Sequence, residues 1–288
     1  NKAENAGGAA YFPGITLNIF GPPNEEGEQE LKNIIYSDIS IKDSTFENNS
    51  VTNDKPSDIY SNYFVDDQGT ITAKEEGYIT TPQGGAIYSG GNLSIDNTVF
   101  KGNSALKTNE NGLKEGQGGA IYSNSAGGNE ELSYFPGLKV TNSKFENNNS
   151  AEGGAIYNEG TVKEFKGNTF TGNNALQEYQ NVTDNTYDDN GITVSQNSVQ
   201  KSHSGSGGAI YNKNADINIE NNTFENNKAA YGGAIFNEVP DENSTANLNI
   251  KDSKFINNSS YNEDSDSGTL TVGDKTYTWN NEHYGLGS

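Results

Sequence analysis

A five-residue phrase, Gly-Gly-Ala-Ile-Tyr, recurs along this chain of 288 residues and constrains its fold more than any other feature. The copies stand at 84–88, 118–122, 153–157 and 207–211, with a close variant at 232–236 and a weaker first copy at 7–11. Self-similarity at a fixed minimal period is typical of stacked repeats, in which each unit buries its apolar face against the next. The sequence therefore predicts a solenoid.

A second phrase, aliphatic-x-aliphatic-x-Asn/Asp-x-x-Phe-x-x-Asn, follows each copy of the first. Its phenylalanines are Phe46, Phe100, Phe145, Phe170, Phe224 and Phe255. The aliphatic residues alternate with polar ones, and a period of two indicates a half-buried strand. In one copy Lys163 and Phe165 take the aliphatic positions, which predicts either a local bulge or a Val162 that turns inward.

The shortest full period, from Gly207 to Gly232, spans 25 residues and is too short for a strand, a helix and their connections. It accommodates about three short strands separated by tight corners, so that equivalent residues stack from coil to coil. We expect an inward isoleucine column, a phenylalanine column, a structural tyrosine stack and an asparagine ladder at one corner. The paired glycines suit a corner that needs positive φ or close backbone approach.

The coupled Gly-Gly-Ala-Ile and Phe-x-x-Asn motifs resemble the repeat of the polymorphic outer membrane protein family, first recognised in chlamydiae. The resemblance spans nearly the whole chain. It implies an all-β fold, a right-handed parallel β-helix of about six coils, and an autotransporter-type passenger exposed at the cell surface. Similar repeats occur in adhesin-like proteins of other bacteria and of methanogenic archaea. Many chlamydial members contain cysteine, whereas this chain has none.

Composition fits a solenoid and limits the partners. A hydrophobic content of 31% and a mean hydropathy of −0.83 suffice only where each coil needs a thin inward seam. A net charge of −21, with dispersed lysines and no arginine, argues against nucleic acid, heparin and anionic membranes. The sequence has no run of 18 apolar residues, so we expect no membrane insertion by this segment. Both ends resemble repeat boundaries, and we interpret residues 1–288 as a single β-helix fragment of a longer passenger.

The coils differ in insertions that follow the Phe motif, at 50–83, 104–117, 175–206 and 259–288. Hairpin-like sequence occurs in the first, third and fourth of these. Loops on a rigid scaffold often carry binding, and aromatic residues anchor sugars or proteins. The candidate binding residues are Tyr60, Tyr63, Phe64, Tyr179, Tyr187, Asp188, Asp189, Tyr277 and Trp279. The structural alternative is that these aromatic residues fasten the hairpins to the solenoid.

Catalysis and metal binding have weaker support. The chain has two histidines, His203 and His283, and Asp188-Asp189 is the carboxylate pair closest to a histidine within a long insertion. A turn rich in Asp, Asn and Gly explains that pair more economically. Alternating oxygen ligands occur at 264–268 and 184–190 without the rest of a calcium loop, so we predict no metal and no cofactor.

We therefore predict a cell-surface adhesin, outer membrane-anchored or secreted, that binds a host or cell-surface protein or glycan and is not an enzyme. One alternative is a carbohydrate-active β-helix enzyme, either a polysaccharide lyase or a glycoside hydrolase. A cleft lined by three or more carboxylates would favour it. The other alternative is a purely structural stalk.

Overall fold

A computed structural model describes residues 1–3, 6–12, 15–20, 31–36, 38–52, 57–65, 71–79, 81–110, 112–124, 136–189, 192–239, 246–260, 263–272 and 275–284. Within the strands between 15 and 36, 57 and 79, 179 and 203, and 263 and 284, the description is of the backbone, together with the side chains of Thr269, Lys275, Thr276 and Thr278. Every regular element of these residues is a β-strand.

The first seventeen strands are β1 (Lys2–Ala3), β2 (Ala10–Phe12), β3 (Ile15–Phe20), β4 (Leu31–Tyr36), β5 (Asp38–Lys42), β6 (Thr45–Glu47), β7 (Ser50–Val51), β8 (Ser57–Val65), β9 (Ile71–Ile79), β10 (Ile87–Ser89), β11 (Asn92–Asp96), β12 (Val99–Lys101), β13 (Ser104–Ala105), β14 (Lys107–Thr108), β15 (Lys114–Glu115), β16 (Ile121–Ser123) and β17 (Leu138–Thr141). The remaining strands are β18 (Lys144–Glu146), β19 (Asn149–Ser150), β20 (Ile156–Asn158), β21 (Val162–Lys166), β22 (Thr169–Thr171), β23 (Gln177–Asp189), β24 (Ile192–Ser204), β25 (Ile210–Lys213), β26 (Ile217–Glu220), β27 (Thr223–Glu225), β28 (Lys228–Ala229), β29 (Ile235–Glu238), β30 (Leu248–Lys251), β31 (Lys254–Ile256), β32 (Ser259–Ser260), β33 (Glu263–Val272) and β34 (Lys275–Tyr284).

Three parallel six-stranded sheets form the faces of a solenoid, which confirms the predicted β-helix of six coils. The strands that follow the glycine pairs stack in the order β2-β10-β16-β20-β25-β29. The aliphatic strands stack as β30-β26-β21-β17-β11-β5, and the Phe strands as β31-β27-β22-β18-β12-β6. A further two-residue strand follows the Phe corner in most coils, as in β1-β7-β13-β19. We number the coils 1 to 6 by these strands, from β2 to β29.

The core consists of columns of equivalent side chains. Ile87, Ile121, Ile156, Ile210 and Ile235 pair in register from coil to coil. The six phenylalanine rings form a continuous stack, with neighbouring centroids 4.7–5.0 Å apart and nearly parallel planes. This contact supplies the dispersion and apolar burial that a chain with so few hydrophobic residues needs. Coil 6 is more exposed than the coils before it, and its Phe255 is 46% exposed.

The corners are built as the sequence predicts. The asparagines of the ladder are Asn49, Asn103, Asn148, Asn173, Asn227 and Asn258, and each bonds to the next through its side-chain amide. In each glycine pair the two residues have different roles, as coil 4 shows. Gly153 has a φ of +61°, whereas a Cβ on Gly154 would lie 2.1 Å from the carbonyl oxygen of Gly208. Only glycine satisfies both positions.

Three local features refine the sequence predictions. Between β17 and β21 the register shifts, so that Leu138 pairs with Val162 and Lys139 pairs with Glu164. Both predicted alternatives are therefore realised, because Lys163 bulges out and Val162 packs against the core. Hairpins that we did not predict occur as β3–β4, after the first Gly-Gly strand, and as β14–β15, within insertion 104–117.

Candidate ligand-binding surface

The predicted binding residues lie on the strands of three long hairpins. Tyr60, Tyr63 and Phe64 belong to β8, which pairs with β9 in a separate two-stranded sheet. Tyr179, Tyr187, Asp188 and Asp189 belong to β23, and Tyr277 and Trp279 belong to β34. The side chains of all nine residues lie outside the described part of the structure.

Two of these hairpins join into one sheet, in the order β23-β24-β33-β34. The joint is the antiparallel pairing of β24 with β33, which runs from Val194↔Val272 to Lys201↔Ser265. Insertions 175–206 and 259–288 therefore form a single four-stranded unit, although coils 5 and 6 separate them in sequence. Sequence analysis missed this pairing, because each insertion was interpreted as a hairpin by itself.

The register of this sheet places the predicted residues relative to one another. Tyr187 is opposite Val194, and Val194 is opposite Val272. In the pairing of β33 with β34, Tyr277 is opposite Leu270 and Trp279 is opposite Gly268. Gly268, Leu270 and Val272 are alternate positions of β33. Because successive residues of a strand alternate between faces, Tyr187, Tyr277 and Trp279 occupy one face of the sheet.

The same alternation separates the predicted carboxylate pair. Asp188 is opposite Thr193 and Asp189 is opposite Ile192, so they are consecutive strand positions and belong to opposite faces. Both precede the hairpin turn instead of lying within it. This arrangement does not bring two carboxylates together on one face, as general acid–base catalysis by the pair would require.

The tyrosine column is structural, as predicted. Tyr88, Tyr122, Tyr157 and Tyr211 are buried and stack with ring centroids 4.8–5.3 Å apart. Burial, together with the nearby Tyr11, raises the pKa of Tyr88 to about 12. The hydroxyl of Tyr211 donates a hydrogen bond to the Glu238 carboxylate at 2.5 Å, which supports a neutral phenol.

A cleft of about 410 Å³ lies where the Gly-Gly strands begin. It is lined by residues of coil connections, among them Glu115, Gln117, Glu152, Ser206 and Tyr231. The amide of Gln117 donates a 3.1 Å hydrogen bond to the Glu152 carboxylate. Burial raises the pKa of Glu152, and this hydrogen bond opposes the shift. Sequence analysis did not select these residues, since they lie beside the repeated phrase and vary from coil to coil.

Two features are absent from the described residues. Among them, no group of three or more His, Cys, Asp or Glu side chains is placed to hold a metal ion. The same residues form no helix that is long and apolar enough to cross a membrane.

The stacked parallel sheets, asparagine ladder and protruding hairpins define a parallel β-helix repeat protein. The model of the Chlamydia polymorphic membrane protein (Chlamydia_PMP) repeat matches this chain at residues 43–90, 97–124, 142–159, 169–213 and 223–238. Because these matches cover just over half of the chain, it belongs to this family of surface proteins. No curated protein and no solved structure gave a significant match.

Proposed function

We propose that this β-helix is a cell-surface passenger segment that mediates adhesion to a protein or glycan of a host or neighbouring cell. Membership of a surface-protein family supports the location. The single observation that supports adhesion most strongly is the union of two insertions in the sheet β23-β24-β33-β34. A broad sheet held by a rigid scaffold suits the capture of a large partner, and its aromatic face provides contact area at low entropic cost.

The charge of the chain supports the choice of partner. A net charge of −21 is repelled by phosphate backbones and by anionic membrane surfaces, which leaves proteins and glycans as the preferred ligands. We assign no reaction to this segment. Assays on pectin, alginate, chitin and mucin glycans are expected to show no turnover, and robust turnover lost in a double Asp188→Asn, Asp189→Asn variant would contradict the assignment.

An attachment assay tests adhesion directly. Beads coated with the purified chain are expected to attach to epithelial cells or to bacterial cells, and a triple Tyr187→Ser, Tyr277→Ser, Trp279→Ser variant is expected to lose most attachment. The matched control is Thr269→Ala with Thr278→Ala. This cross-strand pair has exposed side chains and occupies the opposite face of the same sheet. Equal attachment by the triple variant and the unmodified chain, or none by either, would refute the proposal.

A further inference from the structure

The cleft beside Glu152 arises from an unequal set of coil connections. Coil 3 passes directly from its asparagine corner to the next glycine pair through the four residues 149–152, whereas insertions 104–117 and 175–206 leave the coils on either side. The backbone ladder continues across this connection. Glu152 N–H donates to the carbonyl of Gly116 at 2.9 Å, and Ser206 N–H donates to that of Ala151 at 3.1 Å. The short connection is therefore the floor, and the bases of the two insertions are the walls.

Glu152 on the floor belongs to a column of mostly polar side chains in fixed positions. Gln83, Gln117, Glu152, Ser206 and Tyr231 occupy equivalent places, each bridged to the next by backbone pairing. Gln83 donates to Gln117 at 2.9 Å, and Gln117 in turn donates to Glu152 at 3.1 Å. The inward columns of isoleucine, phenylalanine and asparagine repeat one residue type from coil to coil, whereas this column changes type at three of its four steps, as outward-facing columns also do. Such variation on a constant scaffold is expected where side chains contact a ligand.

The charges around the cleft are mostly compensated. Glu115 forms an ion pair with Lys107 at 3.2 Å and accepts a 2.7 Å hydrogen bond from Asn109. The ammonium of Lys114 donates a hydrogen bond to the hydroxyl of Thr108 and lies at the rim. An anionic ligand would be repelled by Glu152 and by the charge of the whole chain, and a cationic ligand, which that charge attracts, would be opposed at the rim by Lys114. The cleft therefore favours an uncharged ligand.

The remaining features point to a polyhydroxylated ring. The volume of about 410 Å³ is within the range of about 300–1,000 Å³ that small-molecule sites occupy. Amide, carboxylate and hydroxyl groups on the floor match the donors and acceptors of sugar hydroxyls. At one end Tyr231, which is 47% exposed, presents an aromatic surface to the C–H face of such a ring.

We propose that this cleft is a saccharide subsite that takes one or two rings of an uncharged glycan. Glu152 and Gln117 bind ring hydroxyls, and Tyr231 packs against a ring face. The subsite deepens the proposed adhesive function and rests on it for its biological role. It is separate from the face of the hairpin sheet that contains Tyr187, Tyr277 and Trp279.

Titration of the purified chain with disaccharides tests the subsite without any cell. The probes are maltose, cellobiose, lactose and diacetylchitobiose, with glucuronic acid as the charged comparison. Saturation-transfer NMR and calorimetry measure their binding. At least one disaccharide is expected to bind with a Kd below about 10 mM. Tyr231→Ala is expected to weaken that binding about tenfold, and Glu152→Gln about fivefold.

Matched controls separate local from general effects. Tyr11→Ala and Glu146→Gln change the same residue types outside the cleft and are expected to leave the affinity unchanged. If Tyr231→Ala fails to fold, Tyr231→Leu, which removes the ring but keeps an apolar side chain, and Gln117→Ala test the same contacts. Absence of binding by all four disaccharides, tighter binding of glucuronic acid, or unchanged affinity in the cleft variants would overturn the proposal. None of these outcomes alters the attachment assay, so failure of the subsite and failure of adhesion are distinguishable.

Discussion

The side-chain amide of Asn148 donates a 2.9 Å hydrogen bond to Oδ1 of Asn173 in the next coil, and the same oxygen accepts the backbone N–H of Asn148 at 3.0 Å. The other amide hydrogen of Asn148 is donated to the carbonyl of Phe100, one coil back. Each buried asparagine therefore spans three coils. The ladder satisfies polar groups at a corner from which water is excluded, and it fixes the register of the coils.

Asn148→Ala is expected to destabilise the fold strongly. It leaves the backbone N–H and side-chain amide of Asn103 without their acceptor, at roughly 1–3 kcal/mol for each buried group. The measurement is the free energy of unfolding from urea denaturation. Asn249→Ala is the control, because Asn249 forms a similar bond to Asn218 at an exposed position. Equal effects of the two substitutions would contradict a stabilising role for burial of the ladder.

The phenylalanine column provides a matched comparison between two stacked rings. Phe224 is fully buried, whereas Phe255 is 46% exposed, although their centroids are 4.9 Å apart. Phe224→Ala is expected to cost roughly 3–5 kcal/mol, as buried phenylalanine truncations do. Phe255→Ala is expected to cost clearly less, because less of its area is removed from water. Unfolding midpoints measure both, and a negligible shift for Phe224→Ala would place that ring outside the core.

Ser150 offers a stabilising substitution. Its hydroxyl is buried and has no hydrogen-bond partner among the described residues, and its neighbours in the column include Ala105. Ser150→Ala should raise the free energy of unfolding by about 1 kcal/mol, since it removes an unsatisfied polar group. Ser143→Ala should lower it, because the Ser143 hydroxyl donates to the carbonyl of Thr141 at 2.7 Å. A change of the melting temperature in the same direction for both variants would contradict this prediction.

The tyrosine column predicts a loss of stability in alkali. Burial raises the pKa of Tyr88, Tyr122, Tyr157 and Tyr211 in the folded chain, while the unfolded chain titrates near the ordinary value of about 10. The stabilisation is therefore complete below about pH 10 and decreases as the pH rises above it. Tyr157→Phe should flatten this decrease. Tyrosinate absorbance and the free energy of unfolding, both measured as the pH is raised, check this prediction. It requires these four phenols to remain neutral until the chain unfolds.

Removal of insertion 175–206 should leave the solenoid folded. Coils 3 and 5 connect through four residues, so deletion of 176–204 with Gly205→Ala reproduces that length. The deletion also removes β24, the partner of β33, and leaves a two-stranded hairpin that is only marginally stable. Far-UV circular dichroism should therefore be retained, whereas the emission of Trp279, the single tryptophan, should shift.

Deletion of 106–115 is the matched control for that experiment. It also leaves a four-residue connection but does not involve β33, so Trp279 emission should stay unchanged. Global unfolding of the 176–204 deletion would instead assign this insertion a clamping role in the solenoid.

The solenoid could be predicted because each of its columns repeats in the sequence. The Phe spacing identified the buried rings, and the exceptional copy at Lys163 identified the bulge. The pairing of β24 with β33 could not be predicted, since strand partners distant in sequence leave no repeated pattern. The cleft could not be predicted for a related reason. Glu152 and Tyr231 line the same cleft only because the connections around them differ in length.

The backbone ladder at the insertion points has an evolutionary consequence. Ala175 N–H donates to the carbonyl of Lys228 at 2.7 Å, and Ser206 N–H donates to that of Ala151 at 3.1 Å, so both ends of the longest described hairpin are tied to neighbouring coils. A coil closes in the same way whether four residues or more than thirty join its corners. Hairpins can thus be gained, lost or diversified without repacking the interior, so that selection on the hairpins can act independently of selection for folding.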